Sequence, residues 1–175
     1  GMDLNTESKW SFSTNVGLAM RPPNVNELLS EGLHHGAGAI EEGDINLQNE
    51  QGLKWTTQVG HDFSENTTIQ VTAYQHYIQD YIYLKPTGTD LTIRGAFPVF
   101  RYEQTDAVLV GADVDFNTKF LQHFLYDFRF SFIRAQDIEN DVPLIYMPSD
   151  RFQNRLTYQL KRNENTLGIS LGLKS

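Results

Sequence analysis

The chain has 175 residues, no cysteine and a formal net charge of −8. This length suffices for one domain, and the absence of cysteine excludes a disulfide framework, a thiolate metal site and a cysteine nucleophile. Lysine and arginine are scattered along the chain rather than clustered, which argues against nucleic-acid binding because phosphate contacts need clustered positive charge. No apolar run approaches the roughly 20 residues of a membrane helix. The order of apolar and polar residues is therefore the more informative signal.

Period-two alternation of apolar and polar residues predicts seven β-strands. In residues 9–20, for example, Trp10, Phe12 and Val16 fall on one face and serine, asparagine and glycine fall on the other. The third strand changes parity midway, and a β-bulge near Tyr74 to His76 would reconcile its two halves. The predicted strands cover about residues 9–20, 52–63, 67–84, 99–119, 125–135, 151–161 and 167–174.

The connections between these strands alternate in length. Short polar turns are predicted at residues 62–66, 121–123 and 163–165, and long loops at about 21–51, 85–98 and 136–150. One helical turn is predicted in the first long loop, over Val25 to Ser30, with Asn24 as its N-cap and Gly32 at its end. Short turns at one end and long loops at the other are typical of outer-membrane barrels. The predicted fold class is therefore all-β, an antiparallel up-and-down meander.

Strand length and buried charge favour a wide barrel over a small soluble fold. Most predicted strands reach ten residues or more, whereas strands of soluble sandwiches are usually about five or six residues long. Charged residues lie in mid-strand, where a packed core would make them costly. These residues are Asp113, Asp115, Asp127, Arg129, Arg151, Arg155 and Lys161.

Alternation alone leaves a soluble β-sandwich binding module open as a second interpretation. The direction of four large apolar side chains separates the two folds. In a sandwich they fill a closed interior between two sheets, whereas in a barrel they line an outer surface. The four are Phe128, Phe130, Phe132 and Leu156.

Two segments resemble sequence boxes of TonB-dependent outer-membrane receptors. Residues 18–29, Leu-Ala-Met-Arg-Pro-Pro-Asn-Val-Asn-Glu-Leu-Leu, resemble the Arg-Ala/Pro-Pro box that ends a strand in that family. Residues 43–50, Gly-Asp-Ile-Asn-Leu-Gln-Asn-Glu, resemble the Asn-Pro-x-Leu-x-Pro-Glu box, with Ile45 and Asn49 in place of its prolines. Residues 73–82 and 100–113 are similar to the strands that follow. The motif residues with an expected structural role are Arg21, Pro22, Pro23, Asn24, Glu27, Leu28, Asp44, Leu47 and Glu50.

This resemblance implies a 22-stranded transmembrane β-barrel with a plug in its lumen, in the outer membrane of a Gram-negative bacterium. Such a receptor takes up a scarce nutrient, such as an iron–siderophore, haem, a vitamin or a glycan, and its partners are the TonB complex, the nutrient and the lipid bilayer. By resemblance the chain is a late portion of the barrel, without the plug, the TonB-binding segment and the last strands. Because unpaired strand edges can pair with other chains, the two unpaired edges of this sheet predict self-association.

The resemblance also suggests ligand-binding residues, for which we name His34, His35, Arg21 and Glu27. In haem-importing members of the family a histidine lies between the two boxes, as His34 and His35 do here. Adjacent histidines rarely chelate one metal, and a loop histidine that only packs is the simpler interpretation.

No catalytic residue, metal site or cofactor is predicted. The acidic residues Glu41, Glu42 and Asp44 are interpreted as a solvated loop, and Asp113 and Asp115 as lumen-facing rather than as an acid–base pair. A catalytic barrel, such as an outer-membrane protease or lipase, would need Ser or Asp within hydrogen-bond reach of His34. Trp10, Trp55, Tyr126 and Tyr158 fit the aromatic girdles of a membrane barrel.

Overall fold

The computed structural model describes residues 1–162 and 165–175. One short helix and eleven strands occur within those residues, and all the strands belong to one sheet. The elements are β1 (Met2–Asn5), β2 (Trp10–Arg21), α1 (Val25–Leu29), β3 (Glu31–His34), β4 (Ala39–Glu42), β5 (Glu50–Ser64), β6 (Thr67–Thr92), β7 (Gly95–Phe120), β8 (Phe124–Asp137), β9 (Val142–Pro143), β10 (Arg151–Arg162) and β11 (Asn165–Lys174).

Seven long strands form the predicted meander. The order along the sheet is β1-β2-β5-β6-β7-β8-β10-β11, and every neighbouring pair in that order is antiparallel. The seven long strands contain 10 to 26 residues each. The all-β antiparallel fold class is therefore confirmed. The predicted turn at 163–165 lies partly outside the described residues.

The two faces of the sheet differ in chemistry as the alternation predicts. Phe130 pairs with Val114 on one side and Phe152 on the other, so one face is continuously apolar. On the opposite face Asp115 pairs with Arg129, whose Nε lies 3.0 Å from the Asp115 carboxylate. Asp113 and Asp115 therefore belong to a charged surface.

The apolar face has no second layer over it in the described part of the chain. Phe128, Phe130, Phe132 and Leu156 all lie on this face by register. Leu156 is 41% exposed, and Leu171 in the neighbouring strand is 75% exposed. A β-sandwich would bury these side chains between two sheets. The sandwich interpretation is therefore wrong for this chain.

The structure differs from the sequence-based expectations in the upper parts of the strands. The bulge in β6 lies between Ile78 and Tyr81, where the register to β7 shifts, and not at Tyr74 to His76. The predicted loop at 85–98 is instead a continuation of β6 and β7, which pair up to Thr92 and Gly95. The bulge shifts the apolar–polar alternation of β6 by one residue. Above the bulge the alternation is therefore out of phase with the lower part of the strand, and the extension cannot be recognised from it.

The first long loop also contains more structure than predicted. Helix α1 begins after Asn24 but ends at Leu29, and Ser30 already has extended backbone angles. Gly32 therefore does not end the helix; it lies in β3, with a φ of 108°. The short strands β3 and β4 in this loop, like β1 and β9 elsewhere, were not predicted, because two to four residues are too few to display a period.

The most buried apolar residues lie at the end of the sheet from which the long connections emerge. Ala107, Ala135 and Leu144 form a small core there, and Tyr81 and Met147 pack against it. No helix among the described residues is long and apolar enough to cross a bilayer, a finding that concerns helices alone.

Close packing on the charged face predicts that Gly111 is sensitive to substitution. A Cβ added there would lie 2.6 Å from the backbone oxygen of Phe132, with the Tyr74 ring equally close. Gly111→Ala should lower the free energy of unfolding by about 1–3 kcal/mol, because a packed backbone cannot yield. Denaturant unfolding in detergent micelles measures this change.

Gly168 provides the matched control, since an added Cβ there meets its nearest atom only at 3.9 Å. Gly168→Ala should leave stability unchanged. Equal stability of the two variants would contradict this account of Gly111.

Candidate functional site

All the long connections emerge at one end of the sheet and pack together. We call them the loop assembly: residues 22–49, the β6–β7 extension at 80–106, and residues 138–150. The short turn at residues 65–66 and the connection at 121–123 lie at the opposite end. Residues distant in sequence therefore meet in the loop assembly, which makes it the candidate site for ligand contact.

A buried ionic cluster fastens the first loop to the sheet. Arg21, the last residue of β2, donates from Nε to Glu50 Oε2 at 2.6 Å and from a terminal nitrogen to Glu27 Oε2 at 2.9 Å. Glu27 and Glu50 are only 8% and 9% exposed. Arg21 thus neutralises two carboxylates that would be costly to bury alone. We call these three residues the Arg21 cluster.

Backbone groups complete the Arg21 cluster. The N–H of Asn24 donates to Glu27 Oε2 at 2.6 Å, and the N–H of Ile82 donates to Glu50 Oε1 at 2.7 Å. The second contact lies just above the bulge in β6, where Glu50 satisfies a backbone donor. Arg21, Glu27 and Glu50 therefore join β2, α1, β5 and β6.

The Arg21 cluster also perturbs the ionisation of its members. The hydrogen bond to Glu50 is the main reason why the pKa of Arg21 is raised. Burial alone would raise the pKa of Glu27, but the hydrogen bonds from Arg21 and Asn24 together outweigh it and hold that pKa below the ordinary 4.5. Both groups are therefore charged at neutral pH.

The second family box closes back onto helix α1. The N–H of Asp44 donates to Glu27 O at 2.9 Å, and its carboxylate accepts from the N–H of Asn46 at 2.8 Å. Leu47 N–H closes the following turn onto Asp44 O at 3.4 Å. A Cβ on Gly43 would lie 2.7 Å from the backbone of Leu28, so only glycine fits there. Pro22 and Pro23 stand between β2 and α1, where neither has to donate to the sheet.

The first loop is also paired to the β6–β7 extension. Strand β4 runs parallel to β7, with Ile40 to Glu42 opposite Val99 to Arg101. Arg101 donates to Glu42 Oε2 at 2.6 Å. The side chain of Gln104 accepts from Gln48 N–H at 2.7 Å and donates to Gln48 O at 2.9 Å. Glu41 has a different partner, His34, so Glu41 and Glu42 do not form one solvated acidic cluster.

His34 lies on the exposed side of the β3–β4 hairpin. Its Nδ1 is 2.9 Å from Glu41 Oε1, and its side chain is 61% exposed. Because a carboxylate accepts, Nδ1 carries the proton and Nε2 of the neutral ring presents its lone pair. His35 follows in the turn, where its side chain is exposed. The structure therefore gives the two histidines different surroundings.

A second buried carboxylate, Asp137, was not singled out from the sequence. It is 2% exposed and accepts from the Thr105 hydroxyl at 2.6 Å and from the N–H groups of Glu139 and Asn140 at 3.0 Å. Burial raises its pKa, and these donors together lower it to below the ordinary 3.8. Asp137 thus holds the third long loop against β7. Neither a motif nor alternation marks this residue in the sequence.

The geometry does not assemble a catalytic or metal centre in the described residues. The hydrogen-bond partner of His34 there is a glutamate, not the Ser or Asp that a catalytic barrel would need. Within the same residues no group of three or more His, Asp or Glu side chains is arranged to hold a metal ion.

A one-layer antiparallel sheet with an apolar face, a charged face and long connections at one end defines the wall of an outer-membrane-type barrel. The family model described as TonB dependent receptor-like, beta-barrel matches residues 6–174. The chain belongs to this family, whose members are transport receptors rather than enzymes and reside in the outer membrane of Gram-negative bacteria. No curated protein matches the chain at a significant level.

Several solved structures of receptors share the fold. The copper transporter OprC is similar with a TM-score of 0.72 and 16% identity, over 89% of this chain and 23% of that one. The siderophore receptor PirA from Pseudomonas aeruginosa gives 0.66 and 10% identity, over 99% and 32%. The Serratia marcescens hemophore receptor HasR, solved with its hemophore HasA and heme, gives 0.66 and 15% identity, over 96% and 30%. The chain thus spans 23% to 32% of the length of these three receptors.

Removal of the Arg21 guanidinium should loosen the first loop. Arg21→Ala leaves Glu27 and Glu50 unpaired and should destabilise the loop by about 1–2 kcal/mol, less than for a fully buried pair because Arg21 is partly exposed. Hydrogen exchange of residues 22–49 should become faster. Arg101→Ala, which breaks a solvent-exposed pair with Glu42, is the control and should change exchange little. Equal effects of the two variants would contradict the importance of the Arg21 cluster.

The lowered pKa of Glu27 predicts a dependence on pH. Its folded-state pKa lies below 4.5, so its stabilising contribution is complete above that pH and is lost as the pH falls through the folded value. Limited proteolysis of the first loop should therefore accelerate as the pH is lowered below about 4.5, with an acid-active protease. With a protease that is active at neutral pH, Glu27→Gln should be cleaved faster than the unchanged protein, and with the acid-active protease it should show a weaker response to acid. An unchanged acid response in that variant would assign the dependence to other carboxylates.

Proposed function

We propose that this chain forms part of the barrel wall, together with the loop assembly, of an outer-membrane receptor. The receptor takes up a scarce nutrient in a TonB-dependent manner. The observation that carries the proposal is the combination of an exposed apolar sheet face with three long connections packed into one body. The apolar face suits the bilayer, the charged face suits a wet lumen, and the loop assembly suits capture of a ligand outside the cell. The TonB complex would act on a part of the receptor outside this chain.

Within the loop assembly, we propose His34 as the ligand-contacting residue. A histidine that donates one ring N–H to a carboxylate and presents the other nitrogen outward has the arrangement typical of metal-ligating histidines. The distance of 2.9 Å to Glu41 and the exposure of the ring support this role. The nutrient would then carry a metal with an open coordination position, as haem iron or a copper ion does. His35 lacks such a carboxylate among the described residues and would contribute less.

Arg21 and Glu27 remain predicted ligand-binding residues. Their hydrogen bonds are made within the chain, which favours a structural role that keeps the first loop in place. Self-association of the isolated chain likewise stays a prediction. The outer edge of β11, and the edge of β2 away from β5 at residues 15–21, have no strand neighbour among the described residues, which supports it.

Ligand binding to the full-length receptor tests the proposed function. The receptor in detergent is titrated with haemin, copper(II), ferric siderophores and glycans in parallel. Haemin or copper(II) should bind, and His34→Ala should weaken that binding about tenfold or more. Glu41→Gln should weaken it less, because it removes only the orienting charge. His35→Ala is the matched control.

Two results would overturn parts of this proposal. Binding of haemin or copper(II) that is equal in His34→Ala and the unchanged receptor would exclude His34 as a metal ligand. If a metal-free glycan or vitamin bound tightly instead, the proposed nutrient uptake would stand, but the proposed metal-containing ligand would be wrong.

A further inference from the structure

An aromatic cluster on the apolar face surrounds a histidine near the short-turn end of the sheet. Trp10 stacks on His61 with ring centres 4.2 Å apart, and Phe63 meets the same ring edge-on at 4.6 Å. Trp10 is 49% exposed and Phe63 is 61% exposed. His61 lies three residues before the end of β5, so the cluster sits at the lower border of the apolar face.

The hydrogen bonding of His61 fixes which nitrogen carries the proton. Its Nδ1 is buried and has no hydrogen-bond partner among the described residues. An N–H at that position would be a buried donor without an acceptor, which is costly. In the neutral ring the proton therefore belongs on Nε2, which is not buried. His61 thus presents a donor from an otherwise apolar surface.

His123 offers a contrast at the same end of the sheet. It too packs against an aromatic ring, Tyr158, with ring centres 5.9 Å apart. Its Nδ1 lies 3.0 Å from the carbonyl oxygen of Gln159, so Nδ1 is the donor and Nε2 of the neutral ring can only accept. The two histidines therefore present opposite hydrogen-bonding groups in similar aromatic surroundings.

The charges around His61 restrict the chemistry of a ligand that would accept this hydrogen bond. Glu7 and Glu65 are exposed carboxylates in the turns next to the cluster, and Lys9 is the one ammonium group among residues 6–10 and 61–66. Asp62 does not count here, because it pairs with Thr68 on the charged face. An anion would be repelled by this balance. A zwitterion, whose ammonium faces the carboxylates while its phosphate accepts from His61, would be favoured.

We propose that Trp10, His61 and Phe63 form a binding site for a zwitterionic phospholipid, with His61 Nε2–H donating to a phosphate oxygen. The acyl chains continue along the apolar face above, and the aromatic rings hold the headgroup region, where tryptophan is favoured. The inference rests on the proposed insertion of the sheet in a membrane. The proposed site adds one specific lipid-binding position to the general contact between the apolar face and the bilayer.

Native mass spectrometry of the full-length receptor tests this site. The protein is released from micelles that contain equal amounts of phosphatidylethanolamine and phosphatidylglycerol with identical acyl chains. The unchanged protein should retain phosphatidylethanolamine preferentially. His61→Phe preserves the aromatic packing but removes the donor, and it should lower the retained lipid about three- to tenfold, as expected for one lost hydrogen bond. His61→Gln, which restores an N–H, should recover part of the loss.

His123→Phe is the matched control and should leave lipid retention unchanged. The proposal is overturned by equal retention in His61→Phe and the unchanged protein, by an equal loss in His123→Phe, or by equal retention of phosphatidylglycerol. Co-flotation with phospholipid vesicles separates the two levels of inference. A protein that floats without a lipid preference overturns this site alone, whereas one that fails to float also overturns the proposed membrane function.

Discussion

The antiparallel hydrogen-bond ladder is the constraint on which the rest of this structure depends. In hydrocarbon each backbone N–H and C=O must find a partner within the protein, and strands meet that demand only by pairing with one another. Pairing fixes the register, and register fixes the face on which each side chain lies. The separation of Phe130 from Asp115 and Arg129 onto opposite faces follows directly from this ladder. The loop assembly rests on strands that are already held in place.

Above the membrane-facing part, buried carboxylates act together with the ladder in fixing the backbone. Glu50 accepts from the N–H of Ile82 beside the bulge, and Asp137 accepts from Glu139 and Asn140. Each carboxylate is nearly buried, and Arg21 or the Thr105 hydroxyl also donates to it. The loops are thus ordered in part by a few charge-assisted hydrogen bonds, which are stronger than neutral ones but exist only while the carboxylates are ionised.

The sequence predicts the strands well because alternation is a local signal. The seven long strands and their faces follow from it, and Asn24 is correctly predicted to begin α1. The bulge after Ile78 and the pairing of β4 with β7 are not local, since they depend on residues 20 to 60 positions away. The resemblance marks Arg21, Glu27 and Glu50 but does not reveal that they bind one another. The contact of His34 with Glu41 requires the turn between them, which no motif encodes.

The register also has a geometric consequence for the lipid-facing surface. One row of paired residues runs from His61 through Ile69, Phe116 and Phe128 to Asn154. His61 lies three residues before the end of β5, whereas Asn154 lies eight residues before the end of β10. Rows of partners therefore climb across the sheet, as the shear of a tilted barrel requires. Partners in one such row therefore lie at different heights above the short turns. The set of side chains that lie at one membrane depth therefore differs from a row of paired residues. It is found by counting residues along each strand from the short turns.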